Sequence, residues 1–205
     1  MALTDEPLPA NAPCTITVAS CDAHLEGILA LQLRNHVLSI PVDVQADEGF
    51  VFVEHTLPLL AKMAAASPQA IALSDDRVVG YCLSLPVALQ RDVPSLAPMF
   101  EQFGRCTHRG RPLAAHRYIV GGQVCVERGF RGQGLLAKLY HQLRDSLARD
   151  FDVCVTEIAT RNPVSIRAHE KMGFEVIASY RDPREEWVIV AWDFSCGDST
   201  IPMGS

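Results

Sequence analysis

The stretch that most limits what this chain can fold into is residues 118–160, where strand, helix and strand patterns follow one another across short breaks. "YIVGGQVCV" (118–126) is rich in β-branched residues and reads as a strand, with Gly121-Gly122 inside it marking a bulge or a close backbone approach. The next segment sets Leu136, Leu139, Tyr140, Leu143 and Leu147 on one helical face. "FDVCVTEIAT" (151–160) is a continuous apolar strand, the type covered on both faces of a sheet. A β-α-β unit of this kind joins two parallel strands by a right-handed crossover. Whatever else the chain does, it has to build around that pair.

The flanking segments predict an otherwise antiparallel sheet. "CTITVAS" (14–20) alternates as a first strand, and a helix is expected from Asp22, as N-cap, to about Leu38. "PVDVQADEGF" reads as a loop, and "EHTLPLLAKMAAASP" as a helix with Pro58 in its first turn. A hairpin follows, with strands at 69–74 and 77–85 around Asp75-Asp76. Residues 87–117 read as an insertion or long connection, broken by Pro94, Pro98 and Pro112, with one short helix over "LAPMFEQF". "RNPVSIRAHEKMGF" predicts a short helix with Asn162 as N-cap, Pro163 at its first position and Gly173 ending it left-handed. "EVIASYR" and "EEWVIVAWDF" are two last strands around the turn "DPRE". The fold class expected is α/β: a mixed, mostly antiparallel sheet with a central parallel β-α-β unit and helices on both faces. A loosely ordered lead-in over 1–13 and a single domain over 14–205 complete the expectation.

Charge narrows the function. The chain has 205 residues and a formal net charge of −6, so the basic footprint of a nucleic-acid binder is missing. No apolar run approaches the roughly 18 residues of a membrane span, and the N-terminus "MALTDEPLPANAP" lacks the pattern of a signal peptide. The seven cysteines are scattered, with no C-x-x-C pair. Neither a disulfide framework nor a metal site is expected, and a reduced, cytoplasmic protein is.

Arg131-Gly132-Gln133-Gly134 sits between the first strand and the helix of the central unit. Glycines there serve a tight turn, or let the backbone approach an anion at the free N–H groups of the first helical turn. On these residues alone both readings stay open. A Walker loop is excluded because no Lys-Ser or Lys-Thr follows, and a dinucleotide fingerprint because Ala137 stands where its third glycine belongs.

The two blocks "VCVERGFRGQGLLAKLYHQL" and "VTEIATRNPVSIRAHEKMGF" together resemble the GCN5-related N-acetyltransferase (GNAT) superfamily. Its signature Q/R-x-x-G-x-G/A falls on Arg131, Gly134 and Leu136, with Leu136 departing from the usual Gly or Ala. Its second block falls on Asn162, Ser165, His169, Gly173 and Phe174, with Ser165 in place of Ala and His169 in place of Tyr. The resemblance implies the acyl-CoA N-acyltransferase fold, acetyl-CoA as cosubstrate, no metal, and transfer of an acetyl group to a primary amine of a small molecule or peptide. It is compatible with a homodimer.

It further implies that the pantetheine arm pairs with Val124, Cys125 and Val126. The pyrophosphate would lie on the amides of Arg131, Gly132, Gln133, Gly134, Leu135 and Leu136, and Asn162 and Ser165 would touch the cofactor. Asn162 has its role as a helix cap as a competing explanation. For proton transfer the position of the family's acid is held by His169, provided its imidazolium titrates near neutrality; a packed helix residue is the alternative. Tyr140 and Tyr180 are weaker substitutes. Glu157 shares an inward face with Val153, Val155 and Ala159, so it is expected to be a base with a raised pKa, or a structural group paired with a residue such as Arg161. Cys125 is read as a core thiol rather than a nucleophile. The basic stretch 105–117 meets the adenosine 3′-phosphate or an acidic acceptor, unless it is a solvated loop. Two other functions stay open: an acyl-CoA-binding sensor or scaffold, and an acyltransferase using a longer acyl-CoA or an oxygen acceptor.

Overall fold

The computed structural model describes residues 12–194, so most of the expected lead-in, and Cys196, lie outside the described residues. Nine strands and six α-helices follow one another: β1 (Thr15–Val18), α1 (Asp22–Asn35), α2 (Gln45–Glu48), α3 (Leu57–Ala66), β2 (Ala70–Ser74), β3 (Arg77–Leu85), α4 (Ala97–Phe103), β4 (Thr107–His108), β5 (Arg111–Pro112), β6 (Tyr118–Val126), α5 (Leu135–Leu147), β7 (Val153–Ala159), α6 (Pro163–Lys171), β8 (Glu175–Arg181) and β9 (Glu186–Asp193). Seven strands form one sheet in the order β1-β2-β3-β6-β7-β9-β8, and β4-β5 make a separate small ribbon. Every neighbouring pair in the large sheet is antiparallel except β6-β7, which is parallel.

Alternation along the strands divides the core in two. Tyr81, Leu83, Leu85, Val120, Val153, Val155 and Ile189 meet Leu25, Ile28 and Leu31 of α1, Leu60 and Met63 of α3, and Met99 and Phe103 of α4. The alternate residues Val79, Cys82, Ile119, Cys154, Ile158 and Val190 meet Leu135, Leu139, Tyr140, Leu143 and Leu147 of α5. Each such leucine, buried in full, contributes roughly 1.5–3 kcal/mol. The buried face of α5 is turned slightly from the one its spacing predicts: Leu135 is buried and Leu136 half-buried. Leu135 continues the i, i+4 row of Leu139, Leu143 and Leu147 that packs on the sheet.

Several boundaries differ from expectation. α1 begins at Asp22 with Cys21 as N-cap, and it stops at Asn35, whose side chain turns back to donate to Leu31 O at 2.9 Å. The 87–117 segment is structured rather than a loose connection. Short 3-10 turns carry α4 and the β4-β5 ribbon, and Val93, Leu96, Met99, Phe103 and Leu113 enter the core. Prolines break its apolar residues into runs too short to show a period. Among the described residues, no helix is long and apolar enough to cross a membrane.

The parallel pair is short. β6 and β7 match only at Tyr118↔Val153, Ile119↔Cys154 and Val120↔Val155, after which the ladder ends. The anticipated bulge is there: pairing with β3 steps from Leu83↔Gln123 to Ser84↔Gly121, leaving Gly122 unmatched. Where the strands part, Thr156 Oγ1 donates to Gly121 O at 2.7 Å and closes the fork. A Cβ on Gly121 would meet Cys154 Sγ at 3.2 Å and the Tyr140 hydroxyl at 3.3 Å. Gly121→Ala is therefore expected to cost about 1–3 kcal/mol by overpacking, read as a lower urea midpoint with an unchanged m-value.

Candidate active site

Beyond Val120 and Val155, the gap between β6 and β7 is a slot through the sheet. Side chains from both layers reach it. Two clefts meet there, sharing Phe50, Val51, Val124, Asn162 and Ser165.

The first cleft, about 500 Å³, runs from the slot to the start of α5. Its floor is the edge of β6. Glu127 N donates to Val79 O, so strand alternation makes Tyr81↔Cys125 a hydrogen-bonded pair and turns the peptide groups of Val124 and Val126 toward the cleft. Cys125 thus spends its backbone on β3, and its thiol is buried and pushed up to about 12, chiefly by desolvation. It fits neither backbone pairing with a ligand nor nucleophilic attack. Val126 O accepts from Arg131 Nε at 3.0 Å, which leaves Val124 N–H and C=O and Val126 N–H for a ligand.

At the far end of this cleft, Gly132 (φ 77) and Gly134 (φ 71) hold backbone conformations that other residues adopt only under strain, and a Cβ on either would meet nothing within 4 Å. Gly134 offers no side-chain cap to α5, so the amides of its first turn have no acceptor within the helix. Arg167 and Lys171 of α6 line the same cleft and add positive charge. This open cradle of amides suits a pyrophosphate.

Arg131 has a different task from the one its place in the motif suggests. Its amide donates to Arg128 O, and its guanidinium donates to Val126 O, to Glu48 O at 2.6 Å and to Asn35 Oδ1 at 2.8 Å. It fastens the end of β6 to α2 and to the last turn of α1. The cradle therefore begins at Gly132. Gln133 is half-buried and does not line the cleft, whereas Leu135 and Leu136 do. Asn162 is committed to structure, accepting from Ser165 N and donating to Phe50 O, both at 3.2 Å. The basic stretch 105–117 turns elsewhere: Arg109 pairs with Asp193 and Glu175, and Arg117 with Asp152.

The second cleft, about 470 Å³, opens from the slot toward α1 and α4. On one side of the slot stands His169, 2 % exposed. Its Nδ1 lies 2.8 Å from Ser165 O, an acceptor, so Nδ1 carries the hydrogen and Nε2 accepts the Tyr140 hydroxyl at 2.9 Å. Burial pulls the His169 pKa down to about 4 and pushes Tyr140 well above its ordinary range. His169 is thus a neutral acceptor at pH 7, not an imidazolium acid. The hydrogen shared between the two side chains is that of Tyr140, which the sequence ranks only as a weaker substitute.

On the other side stands Glu157. Burial raises its pKa to about 7, while a hydrogen bond from the Tyr180 hydroxyl, at 2.5 Å, opposes part of that rise. Its partner is Tyr180 rather than Arg161, which pairs with Glu185 at 2.7 Å and bonds Gln45. The pairing is across strands: β8 lies beside β9, which lies beside β7. Sequence spacing gives no sign of it. His36 and Trp187 also line this cleft, while His55 is bonded to Gln32 away from it.

The family model described as Acetyltransferase (GNAT) family matches residues 43–174. No curated protein sequence matches the chain. Among solved structures, the ribosomal-protein-S18-alanine N-acetyltransferase from Escherichia coli superposes with a TM-score of 0.60 at 14% identity, covering 92% of this chain and 99% of that one. An N-acetyltransferase from Staphylococcus aureus Mu50 gives 0.57 at 17% identity, covering 89% and 99%. A GNAT superfamily phosphinothricin acetyltransferase from Sinorhizobium meliloti, solved in complex with AcCoA, gives 0.58 at 14% identity, covering 88% of each chain.

The titrations oppose one another. Glu157 binds its proton more tightly folded than unfolded, so its contribution is complete below its ordinary 4.5 and is lost as pH rises through 7. His169 and His55, both pulled from 6.5 to about 4, destabilise the fold as pH falls below 6.5. Glu157→Gln removes only the first effect. Relative to the parent, it is expected to gain about 3 kcal/mol between pH 4.5 and pH 8, measured by urea unfolding across that range.

Proposed function

The chain belongs to the acetyltransferase (GNAT) family, and on that premise we propose that it transfers an acetyl group from acetyl-CoA to a primary amine by direct attack. The observation that carries this reading is the slot between β6 and β7, where an open amide cradle leads to a carboxyl near neutrality on one side and a buried phenol on the other. In this proposal the amides of Gly132, Gly134, Leu135 and Leu136 hold the pyrophosphate, with Arg167 and Lys171 balancing its charge. Val124 and Val126 hold the pantetheine arm by strand-like pairing, beside Ser165 and the Asn162 cap. Acetyl-CoA supplies an activated acyl group as a thioester.

The chain's own residues handle the protons. Above pH 7 Glu157 is a carboxylate and takes a proton from the arriving ammonium or from the amine as it attacks. The C–N bond forms as the C–S bond breaks. As the C–S bond breaks, the Tyr140 hydroxyl swings its hydrogen from His169 Nε2 to the departing sulfur, and the phenolate is reprotonated from solvent after the thiol leaves. His169, accepting from Tyr140, holds the phenol in place without itself carrying charge. Among the described residues, the free thiols of Cys14, Cys21, Cys82, Cys106, Cys125 and Cys154 support a reducing cytoplasmic setting.

Free-thiol release from acetyl-CoA with a panel of primary amines tests the reaction. The expected kcat/KM rises with pH through about 7. Glu157→Gln should lose that limb and Tyr140→Phe should lower kcat, each by roughly 10²–10⁴. Tight CoA binding with no amine-dependent release would favour a CoA-binding sensor instead. Gly134→Asp puts a carboxylate in the cradle at a left-handed position and is expected to abolish CoA binding in calorimetry; retained affinity would reject the cradle.

A further inference from the structure

We propose that the acceptor is a primary monoamine carried on an uncharged, apolar body of about ring size; this rests on the acyl-transfer reading above. The second cleft is walled by Leu38, Phe50, Phe52, Leu96, Met99 and Trp187. Phe52 stands edge-on between Phe50 at 5.2 Å and Trp187 at 5.1 Å, forming a continuous aromatic wall. Leu96 and Met99 come from the 87–117 segment, which gives that segment a part in shaping the site.

Charge in the cleft is sparse. Glu157 sits deep beside the slot, where one amine has to arrive, and Glu54 is exposed at the rim. Arg184 also lines the cleft, but its guanidinium is held by Asp182 at 2.9 and 3.1 Å. A second ammonium held within the cleft, short of Glu54 at the rim, would have to lie against Leu96, Met99 and the rings. Cation–π contact offers little relief, because Arg161 already lies over Phe50 at 4.4 Å and Phe52 at 5.5 Å. An acceptor carboxylate would meet Glu54 and Glu157, and the Arg184 guanidinium beside them is already bound to Asp182. Burying either extra charge unpaired costs more than the wall returns. A neutral apolar body pays no such cost.

The probes are phenethylamine, spermidine and β-alanine, compared by kcat/KM in thiol release and by calorimetric binding to the protein saturated with CoA. Phenethylamine is expected to exceed both others by ~100-fold in kcat/KM, and to be the only one whose binding saturates. Phe52→Ala should raise its KM about 10-fold while kcat changes less, and Phe52→Leu, which keeps an apolar wall, should recover most of the loss. Equal or better use or binding of spermidine or β-alanine overturns the proposal. Absence of turnover with every amine, together with selective phenethylamine binding, would sink the acyl-transfer reading and leave the pocket assignment standing.

Discussion

The early end of the β6-β7 ladder is the constraint on which the rest depends. Three residue pairs join these strands, and Thr156 closes the fork on Gly121 O. A fully paired sheet would separate its two faces, and no side chain of one layer could work beside a side chain of the other. Because the strands part, Glu157 from the α1-α3-α4 face and Tyr140 from the α5 face reach one slot. The unpaired edge of β6 then offers peptide groups that the ladder would otherwise have consumed. Gly121 permits the close approach of Cys154 and Tyr140 that keeps the fork tight.

Holding the strands apart requires fixed ends. Arg131 clamps the end of β6 to α1 and α2 through three acceptors, and Gln123 donates to Val53 O while accepting from Tyr81. On the opposite side Asn162 ties α6 to Phe50. These bonds use polar groups that a motif alone would assign to a ligand. The first cleft is left with backbone amides and the charges of α6. Desolvation then sets the chemistry: it holds His169 neutral, keeps Tyr140 protonated and brings Glu157 to the edge of neutrality. Three buried groups are shifted by the same force, and the direction follows from which form is charged.

Much of this was legible in the chain. The parallel unit, the bulge at Gly121-Gly122, the hairpin at Asp75-Asp76 and the capped α6 all follow from local patterns that no distant contact alters. The inward face of Glu157 follows from period-two alternation. The details that changed were those set across space. Arg131 was read by its place beside the glycines, yet its partners are 83 and 96 residues away in sequence. Tyr180 reaches Glu157 only because β8 and β7 flank the same strand. The 87–117 segment concealed its core residues behind prolines.

The sequence by itself determined the order of elements outside 42–48 and 87–117, the parallel connection and the glycine-led start of α5, because backbone sterics and apolar period act over a few residues. Tertiary structure decided which groups carry protons and which carry the fold. Whether His169 is charged depends on its burial and on the orientation of Ser165 O. Whether Arg131 is free depends on α1 and α2 arriving beside it. Solvation and hydrogen-bond partners are properties of what surrounds a residue in space, and only the packed chain supplies those surroundings.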